Sequence, residues 1–208
     1  MKLTVFGATG GIGTQVVRQA LDAGHEVVAV VRDPARLDVA ARPELRVIRA
    51  DVMDPDAIAP AVAGAGAVVS ALGPRRGGPV TICSEGAHSI LGAMDKTGVR
   101  RIVLVSANGA FTEPDDGLVT RLIVKPLLQR ILREGMADIR RMEQEVRASP
   151  AEWTLMRPPR LTNGARRRYR TAIDRHVGTS IARADVADAM LQALANPATA
   201  GHTVGIGY

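Results

Sequence analysis

The chain is predicted to form a doubly wound α/β domain, a mostly parallel sheet with helices on both faces. Three observations predict it. Short apolar runs alternate with helical patterns from the first residues onward. The first strand, helix and strand fit within about 30 residues, the size of a βαβ unit. The apolar runs are continuous rather than alternating, as in strands covered on both faces. At 208 residues, 46% of them hydrophobic, the chain is long enough to bury one core, and a single domain over 1–208 is expected.

The elements follow in order. LTVF (3–6) reads as a buried strand and leads into a helix with Ile12, Val16, Ala20 and Leu21 on its apolar face. Gly24 ends that helix, and EVVAVV (26–31) is the second strand. LRVIRA (45–50), a helix in PDAIAPAVA, and AVVSAL (67–72) continue the rhythm. A helix from Val80 to Lys96 sets Cys83, Ala87, Ile90, Leu91 and Met94 on one stripe. RIVLVS (101–106), a helix in ADIRRMEQEVRAS, and WTLMR (153–157) come next. A last helix in ARADVADAMLQALANP buries Val186, Ala189, Met190, Ala193 and Leu194, and HTVGI adds a short final strand. Two excursions, 107–135 and 157–183, follow strand C-terminal ends, the edge where open α/β sheets bind ligands, and are expected to cover the ligand site.

The turn after the first strand, VFGATGGIGTQV (5–16), holds four glycines in seven positions. Each costs about 0.5–1 kcal/mol relative to alanine inside a regular element, so the turn needs absent side chains. Gly7 permits the tight turn, Gly10 lets backbone approach a diphosphate, and Gly13 lets the helix pack close to the sheet. Phosphates then meet the free N–H groups of Thr9, Gly11 and Ile12 around a helix N-terminus, where the dipole favours negative charge. The reading is a Rossmann-type dinucleotide site.

The tip of the second strand selects the cofactor. An acid there holds an adenosine ribose hydroxyl, whereas arginine accommodates a 2′-phosphate. The sequence VVRDPARL supplies Arg32 at the tip and Arg36 four residues on, which points to NADP. In the competing reading both arginines are solvated and Asp33 performs the recognition. Asp51 and Val52 are placed to border an adenine ring, and Leu72, Gly73 and Arg75 in SALGPRR to approach the cofactor where room is short.

Other features exclude function classes. A single cysteine rules out an intrachain disulfide and a cysteine zinc cluster. His25, His88, His176 and His202 show no metal-ligand spacing; His176 alone lies in the basic segment, where it is a candidate to touch substrate. No signal-peptide pattern and no run of 18 apolar residues appears, so a cytoplasmic chain with no membrane partner is expected. The formal net charge is +6, yet Arg157 to Arg183 holds eight arginines against one acid, leaving the remainder at −1. That concentration suits the rim of a site for an anionic small molecule better than a duplex footprint, and with 2% aromatics no nucleic-acid partner is expected.

With these pieces placed, the chain resembles the atypical short-chain dehydrogenases/reductases, the group that includes biliverdin reductase B (flavin reductase) and NmrA-like NAD(P)-binding proteins. The resemblance runs nearly end to end through FGATGGIG, VVRDPARL, ADVMD, GAGAVVSALG, SEGAHSILGAMDKTGVRRIVLVSA, RASPAEWTLMRPPRL and IARADVADAML. It implies a monomer or weak homodimer that binds NADP, with Ser106, Pro158 and Pro159 around the nicotinamide. At the next pocket position Arg160 stands where flavin reductases carry histidine, a permanent cation in place of a titratable group. No Tyr-x-x-x-Lys dyad is present: the two tyrosines are Tyr169, followed by RTAI, and Tyr208.

These features predict an NADPH-dependent oxidoreductase that passes hydride to a conjugated acceptor such as a flavin, tetrapyrrole or quinone. Ser106 would orient the reactants and Arg160 would offset developing charge. The alternatives are an NmrA-like redox sensor without turnover, for which 117–132 offers a partner surface, and an epimerase-like enzyme.

Overall fold

The computed structural model describes residues 1–74, 78, 80–111 and 133–208; Arg75 and the 117–132 stretch lie outside the described residues. In chain order the elements are β1 (Lys2–Phe6), α1 (Gly11–Asp22), β2 (Glu26–Val31), β3 (Leu45–Arg49), α2 (Pro55–Val62), β4 (Ala67–Ser70), α3 (Ile82–Thr97), β5 (Arg101–Val105), α4 (Arg133–Ala148), β6 (Glu152–Arg157), β7 (Arg160–Thr162), β8 (Arg170–Ile173), β9 (Ser180–Ala182), α5 (Arg183–Ala195) and β10 (His202–Gly207). The main sheet runs β3-β2-β1-β4-β5-β6-β10-β8. It is parallel except for β8, which pairs antiparallel with β10. The chain is thus a doubly wound, Rossmann-like α/β fold.

Alternate residues of each strand serve opposite faces, because successive side chains of an extended chain point oppositely. Leu3, Val5, Val27 and Ala29 join Val16, Val17, Val186 and Met190 in the core under α1 and α5. Phe6, Val28, Val30 and Leu104 join Ile58, Ile90 and Met142 under α2, α3 and α4. Burial of each large apolar side chain here contributes about 1.5–3 kcal/mol. Two polar groups inside the sheet are satisfied by backbone: Thr4 Oγ1 donates to Ala61 O at 2.6 Å and Thr154 Oγ1 to Thr199 O at 2.7 Å.

The structure departs from the sequence reading at the edges. The third strand, expected to be covered, is a half-exposed edge with Val47 39% accessible. The fourth strand ends at Ser70, and Ala71 and Leu72 leave it to line a cleft. Segment 157–183 contains β7, β8 and β9; β7 and β9 pair as a small parallel ribbon and β8 extends the main sheet. The β8 sequence, RTAI, lacks an apolar run because a largely exposed edge strand does not require one.

Candidate dinucleotide cleft

Strand order reverses at β1, which lies between β2 and β4. The crevice outside the C-terminal ends of those strands is the topological switch point, and it holds a cleft of about 440 Å³. Gly7, Thr9, Gly10, Gly11, Ile12, Arg32, Val52, Leu72, Gly73 and Ser106 line it. Arg36 lines a second, polar recess that shares Thr9, Gly10, Gly11 and Arg183 with the cleft. Gly13, Asp51, Pro158, Pro159 and Arg160 line neither.

The turn itself shows why two of its glycines are needed. Gly7 has φ +72°, and a Cβ there would stand 2.5 Å from Ala71 O. A Cβ on Gly13 would meet Gly7 O at 2.2 Å, so a side chain would force α1 off the turn. Around Gly73, by contrast, a Cβ meets no described protein atom within 4 Å, so protein packing does not demand glycine there. Helix α1 opens on Gly10 without a side-chain cap, and its first turn carries no acid. An uncapped, positively polarised helix end facing a cleft fits a diphosphate.

Asp33 is occupied locally, its Oδ1 accepting from Ala35 N–H at 3.1 Å. Asp51 makes a similar turn through Met53 N–H at 3.1 Å, while its neighbour Val52 is buried and faces the cleft. Arg32 lines the cleft and Arg36 the adjoining polar recess, and the two share Thr9, Gly10 and Gly11.

At the other end of the cleft lies an arrangement that sequence reading missed. Ser106 is 4% exposed, and its hydroxyl is 2.5 Å from Glu143 Oε1. The same oxygen accepts from Arg157 Nε at 2.9 Å, and Oε2 accepts from Arg157 Nη2 at 2.6 Å and Arg147 Nη2 at 3.4 Å. Four donors thus fill the carboxylate's acceptor directions, and Ser106 must be one of them. A serine hydroxyl has a single hydrogen, so what remains to face the cleft is an acceptor lone pair. Arg157 is held from its other side by Phe111, whose ring centroid lies 3.8 Å from the guanidinium carbon.

The α3 wall is fixed by Asp138 of α4, which is fully buried. Its carboxylate accepts from Cys83 N–H at 2.8 Å, Ser84 N–H at 3.1 Å and the Ser84 hydroxyl at 2.5 Å, capping a helix whose own N-cap residue makes no side-chain bond. Burial, reinforced by the Asp138 charge, pushes the Cys83 thiol up to about 12, so it lines the cleft as a neutral group.

The remaining candidates sit elsewhere. Arg160 is exposed on β7 and Leu161 lines the cleft in its stead, since neighbours on a strand point to opposite sides. Pro158 is buried, and its carbonyl accepts from Asn108 N–H at 3.1 Å. Neither tyrosine lines the cleft. Tyr169 OH donates to Asp188 and Tyr208 OH to Asp185, each at 2.6 Å. His176 lies beside Arg175 and Gly205 in a separate small recess. Arg166 is anchored by Asp188 at 2.5 Å and Arg167 stands over the Tyr208 ring, so two of three consecutive arginines are pinned rather than freely solvated. Among the described residues no cluster of metal-ligating side chains occurs and no helix is long and apolar enough to cross a membrane.

Comparison with known proteins agrees with this geometry. The chain is 31% identical over 141 residues to the photosystem II assembly factor Ycf39 of Synechocystis; the match takes in 66% of this chain and 42% of the relative, so the chain spans about two-fifths of that protein's length. Its fold is similar to that of ChuY, an anaerobilin reductase of Escherichia coli O157:H7, with TM-score 0.81, 21% identity, and coverage of 99% of this chain and 97% of the other. A short-chain dehydrogenase/reductase of Veillonella parvula in complex with NADP gives TM-score 0.80 at 19% identity, covering 100% and 94%. Residues 7–197 match a family model described as NAD(P)H-binding, and the chain belongs to that family.

Proposed function

We propose that the chain is an NADPH-dependent reductase that passes hydride to a conjugated, electron-poor acceptor of flavin, tetrapyrrole or quinone type. One observation carries the reading: the described cleft joins a dinucleotide turn to an end that has no proton donor. Ser106 is committed to Glu143, Cys83 keeps its proton, and both tyrosines lie outside. Such a site suits acceptors whose reduced form is a delocalised anion that collects its proton from water, rather than a simple ketone.

The bound dinucleotide would supply the hydride. The α1 N-terminus would seat its diphosphate, and Arg32 with Arg36 would grip the 2′-phosphate that distinguishes NADPH from NADH. Ser106 would accept a hydrogen bond from the carboxamide N–H₂ and so fix the ring's orientation. Exposed Arg160 and Arg168 would attract an anionic acceptor to the rim. The structural likeness to ChuY, an anaerobilin reductase, and to a short-chain dehydrogenase/reductase in complex with NADP supports this assignment.

The test is NADPH consumption with FMN, a naphthoquinone and biliverdin under steady-state conditions. Turnover with one or more supports the reductase. A second reading has its own support in the similarity to an assembly factor: a protein that binds NADPH and reports redox state to a partner. Tight NADPH binding without turnover on any acceptor would favour it.

A further inference from the structure

We infer that Arg183 is a phosphate ligand of the bound dinucleotide: its guanidinium and the N-terminus of α1 together form the diphosphate seat. The inference rests on the dinucleotide reading above and names a residue that the glycine motif does not. Arg183 is the first residue of α5, half-buried, and it lines both the cleft and the polar recess. Its side chain lies across the glycine turn. A Cβ added to Gly11 would stand 2.7 Å from Arg183 Cδ and 3.0 Å from Nε. The bare α-carbon of Gly11 therefore makes room for this arginine.

The positive end of α1 carries no acid in its first turn. Helix α5 has one, buried Asp185, but that carboxylate is taken up by Tyr208 OH and Arg167 N–H, and Asp38 in the polar recess is held by Arg18. Among the described residues no carboxylate pairs with Arg183; its Nη1 donates instead to a neutral group, Asn163 Oδ1, at 2.6 Å. Arg166 and Arg18 differ, each holding an aspartate. A half-buried guanidinium kept from carboxylates and set against a helix N-terminus is explained by a phosphate between them. The α5 start is itself tied to α1 by Gln19 Nε2, which donates to Ala184 O at 2.9 Å, so the cation is held at fixed register over the turn.

The diphosphate is common to NADPH and NADH, which separates Arg183 from the arginines at the second strand. Isothermal titration of the full chain with each dinucleotide tests it, using Arg183→Ala, Arg183→Lys and, as a charge-matched control, Arg166→Ala. The expected result is that Arg183→Ala weakens both dinucleotides alike, by about 10- to 100-fold, as loss of a charge-assisted contact does. Arg183→Lys should recover part of that loss, and Arg166→Ala should stay within about twofold of wild type. Circular dichroism melts confirm that each variant is folded. Unchanged affinity in folded Arg183→Ala, or a loss confined to NADPH, would overturn the inference while leaving the dinucleotide reading intact. Wild-type protein that binds neither dinucleotide would instead remove the reading on which it rests.

Discussion

Ser106 donates its hydroxyl hydrogen to Glu143 across 2.5 Å, and that bond decides which way the serine can act. Glu143 has 2% of its side chain exposed and takes two further bonds from Arg157, 13% exposed. The serine is thereby an orienting acceptor in the cleft and not an acid. Replacing Ser106 by alanine should weaken NADPH binding by about 1 kcal/mol, roughly fivefold, and lower stability by about 1.5 kcal/mol through the lost bond to Glu143. Glu143→Ala removes the buried carboxylate that accepts from both Arg157 and Ser106 and should cost about 3–5 kcal/mol in folding free energy, read by urea denaturation. Equal stability of the two variants would contradict the assigned network.

Cofactor choice is the next consequence. Arg32 lines the cleft and Arg36 the polar recess that shares Thr9, Gly10 and Gly11 with it. The double variant Arg32→Ala/Arg36→Ala should lose about 10- to 100-fold in NADPH affinity and leave NADH within about twofold. Titration calorimetry separates the two. An equal loss for both dinucleotides would mean that these arginines do not read the 2′-phosphate.

Cys83 gives a pH signature. Burial, then the Asp138 charge, holds the folded thiol near 12, against 9.0 for an ordinary thiol. Below pH 9 the thiol is protonated in both states and contributes no slope. Between about 9 and 12 only the unfolded chain releases the proton, so folding stability falls as pH rises through that window. Cys83→Ala should flatten this slope in denaturation curves measured from pH 8 to 11. The native thiol should also resist iodoacetamide at pH 8 and react once urea is added.

Turnover should show no acid–base titration of its own. The described lining of the cleft holds no carboxylate, histidine, lysine or tyrosine, and burial keeps the Cys83 thiol protonated between about pH 6 and 9. The expected kcat is flat across that range with FMN or a quinone. A bell-shaped profile would reveal a proton donor that this account lacks.

The sheet was legible because its central strands are buried on both faces and so appear as unbroken apolar runs such as EVVAVV and RIVLV. The glycine turn was legible because Gly7 and Gly13 answer steric demands that no other residue meets. What escaped lacks a local signature. Glu143 sits in RRMEQEVRA, where it looks like any charge on a solvated helix face; only the packing of α4 against α3 and β6 places it inside. Arg183 was hidden among eight arginines of one segment, and nothing in its neighbours shows that α5 begins over the turn of α1. β8 escaped for the opposite reason, since an exposed edge strand has too few apolar residues to announce itself.

The most direct measurement is titration of the purified wild-type chain with NADPH and NADH by isothermal calorimetry. The account predicts saturable binding of NADPH at one site per chain, tighter than NADH by about tenfold or more. A folded protein that takes up neither dinucleotide would contradict it.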